Sequence, residues 1–108
     1  MNIEKLKSYL KSKINAELDD ILDQRDGQAF DSAWCQVYEV VYDVSSGFDS
    51  EALFIELSDL VSQHEIVSYI IDDLIMLDKA KEVGVSPPFV LFMRESYEKG
   101  VVPHVWQS

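Results

Sequence analysis

At 108 residues and 47% hydrophobic, with aromatics spread along its length, the chain has the material for one domain over residues 1–108 and is too apolar for a disordered acidic tail. Its net charge of −11 disfavours nucleic acid and the anionic face of a membrane as partners, and favours something basic. The single cysteine, Cys35, excludes an internal disulfide and a cysteine-based metal site, and the chain reads as a cytoplasmic domain with no signal-peptide run in MNIEKLKSYLKSKI and no apolar run long enough to span a bilayer.

The apolar spacing is helical almost throughout. The first segment covers about Ile3 to Leu22, with Ile3, Leu6, Leu10, Ile14, Leu18 and Ile21 in one stripe. Its charges run against the helix dipole: Lys5, Lys7, Lys11 and Lys13 come first, and Glu17, Asp19, Asp20 and Asp23 come last. Either the helix breaks near Ser12 to Asn15 and restarts, or the acidic end serves something other than helix stability. Asp26-Gly27 marks a turn. A second helix follows from about Gln28 to Val44, with Phe30, Ala33, Trp34, Val37, Val41 and Val44 on one face, and Ser45-Ser46-Gly47 ends it. Asp49 or Ser50 caps a short third helix through Leu53, Leu57, Leu60 and Val61.

The fourth helix, about Gln63 to Glu82, is the most hydrophobic and is expected at the centre of the bundle, with Gly84 as its stop. Its VSYII run has the composition of a strand, but its length and period are those of a helix. Ser86-Pro87 opens a fifth helix through Phe89, Val90, Met93 and Tyr97, which Gly100 closes. The tail VVPHVWQS is extended and packs Val102 or Trp106 back onto the rest. The expected fold class is all-α, a single compact bundle of four to five helices.

Charge is distributed unevenly. From Asp26 to Asp78 there is no lysine or arginine, yet there are twelve carboxylates. Solvated helices normally interleave both signs, because opposite charges three or four residues apart attract. A one-signed stretch stabilises nothing locally, and its simplest use is to meet a basic partner.

No motif points to catalysis. There is no serine elbow, no phosphate-binding glycine loop and no zinc-type His-Glu-x-x-His. His64 and His104 are the only histidines, and His64-Glu65 fits a solvated capping pair better than a ligand pair. Asp19, Asp20 and Asp23 lack the spacing, glycine and terminal glutamate of a calcium loop. We therefore expect no catalytic residues, no metal and no cofactor.

Two surfaces suit binding. On a helical wheel, the outer face of the fourth helix collects Glu65, Tyr69, Asp72, Asp73 and Met76, an acidic strip set with an aromatic and a flexible apolar residue. The competing reading is a solvated face with two stray apolar residues. On the second helix Asp31, Cys35, Tyr38, Glu39 and Tyr42 lie on the flank away from Trp34 and Val41, and burial against a neighbouring helix is the competing reading there. Exposed carboxylates alone contribute only about 0–1 kcal/mol each as surface ion pairs, so the aromatics would have to supply the contact. Trp34 and Trp106 are read as core.

A small, acidic, cysteine-poor helical chain without catalytic motifs suits a stoichiometric inhibitor of a basic protein. In size, acidity and helical plan, and in the stretches HEIVSYIIDDL and YEKGVVPHVW, the chain resembles the small immunity proteins that bacteria make against nuclease bacteriocins and contact-dependent growth inhibition toxins. The resemblance implies a cytoplasmic protein that binds one cognate toxin domain, most simply a nuclease, and blocks it. It carries no individual residue role across. The alternatives are a phage or plasmid DNA mimic of the anti-restriction or anti-CRISPR kind, whose carboxylates should be spaced like duplex phosphates, and an acidic adaptor subunit. An enzyme is the least favoured class.

Overall fold

The computed structural model describes residues 3–106. Those residues form α1 (Ile3–Lys11), α2 (Asn15–Arg25), α3 (Gln28–Val41), α4 (Ser50–Ser58), α5 (His64–Glu82) and α6 (Pro88–Glu98), with no strand among them. The all-α expectation holds, but the helix count is six rather than four or five.

The extra helix comes from the first segment, which breaks over Ser12, Lys13 and Ile14. The break resolves the charge anomaly. With it, α1 has Glu4 in its first turn and Lys11 in its last, and α2 has Glu17 in its first turn and Arg25 in its last. Each short helix thus gains a favourable charge at both ends, which the joined segment lacks, although Lys5 in the first turn of α1 and Asp23 in the last turn of α2 still oppose the dipole. Glu17 also accepts a hydrogen bond from the Ile14 backbone N–H at 3.2 Å, which satisfies an orphan donor at the α2 start.

Asp49 caps α4 as expected, accepting from the Ala52 N–H. Three boundaries shift by a few residues. α3 ends at Val41 rather than Val44, α5 starts at His64 behind a Gln63 side-chain cap, and α6 starts at Pro88 with Pro87 in the cap position.

α5 is the centre. α3, α4 and α6 all pack on it, and Ile66, Val67, Ile70, Ile71, Leu74 and Leu77 are buried there. α1 and α2 add Leu6, Leu10, Leu18, Ile21 and Leu22 to the same core. The chain end returns as expected: Val102 is buried, and the Trp106 ring lies 5.2 Å from both Phe89 and Phe92.

Gly100 makes that return possible. Its φ is +76°, the left-handed region, and a Cβ there would overlap the Cβ of Lys5. Only glycine lets the end of α6 pass this close to α1.

Candidate functional site

The site lies where α5 meets α3 and the end of α2, and it is organised by a buried carboxylate. Asp73 is fully buried at the middle of α5. Arg25, the last residue of α2, meets it with both terminal nitrogens, Nη1 to Oδ2 and Nη2 to Oδ1, each at 2.6 Å. The Trp34 indole N–H donates to Oδ1 at 2.9 Å, and the Tyr97 hydroxyl donates to Oδ2. One carboxylate therefore ties together α2, α3, α5 and α6. Charge-assisted, bidentate bonds of this kind satisfy both buried charges and fix geometry.

Arg25 is sandwiched as well as paired. Its guanidinium lies 4.7 Å from the Phe30 ring centroid and 5.2 Å from that of Tyr69. Burial works against its charge, but the adjacent Asp73 outweighs it and holds the Arg25 pKa above its ordinary value. Burial pushes the Tyr97 hydroxyl well above its usual range, and the Asp73 charge adds to this, so Tyr97 remains a donor. The Tyr69 hydroxyl donates to Asp26 at 2.7 Å, and that bond pushes its pKa up to about 12.

In front of this network is a cleft of about 190 Å³, walled by Trp34 and Tyr69 and edged by Asp26, Asp31 and Asp72. A second cleft, about 380 Å³, shares Trp34 and Asp72 with the first and continues along the α3–α5 seam past Tyr38 and Ile75 to Lys79. Trp34 also begins a run of rings along α3. Its ring stacks on Tyr38 with centroids 5.5 Å apart and planes 17° apart, and Tyr38 adjoins Tyr42 at 6.3 Å. Tyr38 and Tyr42 are 46% and 61% exposed, too much for rings that belong to a core.

Asp72 stands between the two clefts. Among the described residues its carboxylate makes no hydrogen bond and no ion pair. Partial burial raises its pKa, and the neighbouring Asp73 raises it further, against a smaller opposing effect of Arg25.

Seven of the nine predicted binding residues lie where solvent reaches them. Glu65, Asp72, Asp31, Tyr38, Glu39 and Tyr42 are exposed, and Tyr69 is half-buried at the cleft wall. Asp73 and Met76 do not share that outer face. Asp73 is 0% and Met76 is 2% exposed. The wheel left one face of α5 to solvent, but α3 and α6 both pack on this helix, so more of its circumference is covered. Asp73 tolerates burial because Arg25, Trp34 and Tyr97 supply donors to both of its oxygens. Trp34, read as core, is half-buried: its N–H points to Asp73 while its ring stacks on an exposed tyrosine. Arg25 and Tyr97 were not singled out as polar residues of the site. Arg25 did carry a signal, since it is the last cation before the one-signed stretch.

Among the described residues no three His, Cys, Asp or Glu side chains group as metal ligands, and no helix is long and apolar enough to cross a membrane. No curated protein and no solved structure matches the chain. The family model Immunity protein PIM1 matches residues 2–104. A toxin is the partner that such a description implies, which agrees with the resemblance drawn from HEIVSYIIDDL and YEKGVVPHVW. The chain belongs to the Immunity protein PIM1 family.

Proposed function

We propose that this immunity protein neutralises a cognate toxin that is basic at its contact surface, most simply a nuclease domain, by one-to-one binding through the α3–α5 face. It would do so in the cytoplasm, as a single domain and without a cofactor. The observation that carries the reading is the run Trp34–Tyr38–Tyr42, which lies beside carboxylates that have no cation to pair with in their own stretch of chain. The carboxylates steer a basic partner, and the rigid rings supply contact area at low entropic cost.

Cys35 gives a direct test. It is the only cysteine, it is exposed, and it lies on α3 beside the rings. The protein is co-expressed with the product of the gene upstream of its own, where this reading expects a toxin, and maleimide labelling of Cys35 is compared in the free protein and the complex. The expected result is a one-to-one complex in which Cys35 is protected. A complex with Cys35 labelled at the free rate would place the interface elsewhere. Binding to several unrelated nucleic-acid enzymes, displaced by any DNA, would replace this reading with the DNA-mimic one.

A further inference from the structure

We propose that the cleft between Trp34 and Tyr69 is a socket for one arginine side chain of the partner, an inference that rests on the α3–α5 face being the one that meets the toxin. The cleft is concave, about 190 Å³ in volume, and Phe30, Trp34 and Tyr69 supply aromatic rings to its lining. Its lining holds four aspartates and one arginine, so with Arg25 counted it is still at −3. Asp73 is already saturated by Arg25, Trp34 and Tyr97, and Asp26 accepts from Tyr69. Asp31 and Asp72 have no side-chain hydrogen bond and no ion pair among the described residues, and they border the opening from α3 and α5.

A second observation concerns Arg25, which also lines the cleft. Arg25 is only 6% exposed, and its Nε–H has no acceptor among the described residues. A buried donor left without an acceptor is a cost carried by the free protein. The chemistry for the guest is already in use one layer deeper, where the Arg25 guanidinium sits on the rings of Phe30 and Tyr69 and pairs with a carboxylate. A partner arginine would repeat that arrangement one layer out, stacking on Trp34 or Tyr69 and pairing with Asp72 and Asp31. Lysine fits less well, because its compact ammonium is strongly hydrated and cannot stack as a plane.

The test needs no toxin at first. The free protein is titrated with N-acetyl-arginine amide, and the Trp34 indole N–H resonance, assigned with Trp34→Phe, is followed by NMR. The neutral isostere N-acetyl-citrulline amide and N-acetyl-lysine amide are titrated in parallel. We expect a saturable shift with the arginine amide, weaker binding of the lysine amide by at least threefold, and no saturation with citrulline. Asp72→Asn, which removes a charge from an exposed side chain, should weaken arginine binding at least threefold with the helical spectrum unchanged. Equal responses to arginine and citrulline, or an Asp72→Asn protein that binds arginine as wild type does, would overturn the proposal. Adding the purified toxin separates the two readings. A Trp34 resonance moved by the toxin but not by arginine keeps the face and removes the socket. A resonance moved by arginine but not by the toxin keeps the guanidinium site and moves the toxin elsewhere.

Discussion

Tyr97 donates its hydroxyl to Oδ2 of Asp73, which fastens α6 to the middle of the most apolar helix by a polar bond. The two stretches that carry the resemblance to immunity proteins, HEIVSYIIDDL and YEKGVVPHVW, meet at this bond. Arg25 and Trp34 share the same carboxylate, so the cleft stands on a rigid floor. A buried ion pair is weak grounds for stability in itself, because desolvation offsets much of the Coulomb gain. Its use here is to fix the indole plane of Trp34 against the surface.

Asp73 should therefore be intolerant of single change. Asp73→Ala leaves the Arg25 charge buried and unpaired, which costs about 3–5 kcal/mol. The double variant Arg25→Met with Asp73→Leu removes both charges, and it should recover most of that loss. Thermal melts of the three proteins check this. A single variant that melts like wild type would mean that the network is not formed in solution.

Gly100→Ala should destabilise by about 2–4 kcal/mol, combining left-handed backbone strain with overpacking. The added Cβ would overlap the Cβ of Lys5 at the junction of α6 and α1. Urea unfolding of this variant measures the effect, and Gly47→Ala is the control, since nothing lies within 4 Å of a Cβ there. Equal midpoints for the two variants would contradict the close approach.

Helix type and order were legible in the sequence because the apolar period of three to four persists through every segment. For the first segment the charge order left two readings open, a break near Ser12 to Asn15 or an acidic end kept for another use, and the break is the one that places Lys11 and Glu17 on dipole-favoured ends. The fate of Asp73 was not. Asp72 and Asp73 are identical neighbours, and which of them turns inward depends on where Arg25, Trp34 and Tyr97 arrive from three other helices. A wheel drawn for one helix carries no information about those arrivals. Met76 failed for the same reason. Tyr38 and Tyr42 do stay exposed on the flank of α3 where the wheel puts them.

Tyr38→Ala and Tyr42→Ala should leave stability within about 0.5 kcal/mol, as exposed positions usually do. If either ring anchors the toxin, truncation should speed dissociation and cost about 1–3 kcal/mol of binding. Association should instead respond to salt, slowing as the Debye length falls below about 8 Å. Surface plasmon resonance at several salt concentrations separates the two effects. An association rate indifferent to salt would remove charge steering.

Tyr69 should titrate late. Its hydrogen bond to Asp26 pushes its pKa from 10.0 up to about 12. A raised folded pKa means that the bond's contribution is fully present below the unfolded value and is lost as pH rises through the folded one. Stability should thus fall between about pH 10 and 12 more steeply in wild type than in Tyr69→Phe. Phenolate absorbance and melts across that range provide the measurement. Parallel curves for the two proteins would show that the Tyr69–Asp26 bond is absent in solution.

Asp72 should be a residue kept at some cost to the fold. Partial burial, with the charge of Asp73 next to it, raises its pKa above the ordinary carboxylate value. By the same linkage, its contribution to stability is present in acid, below the unfolded value, and is lost as pH rises through the folded one. At neutral pH the ionised Asp72 therefore works against folding, with no hydrogen bond or ion pair among the described residues to offset it. Asp72→Asn should melt no lower than wild type at neutral pH, and the difference between them should shrink in acid. The same change should weaken the toxin complex, because it removes a carboxylate that borders both clefts. Stability gained where binding is lost is the pattern expected of a functional rather than a structural residue. Melts at acidic and neutral pH, paired with binding kinetics, provide the check. A lower melting temperature at neutral pH would give Asp72 a structural partner, and unchanged binding would remove it from the interface.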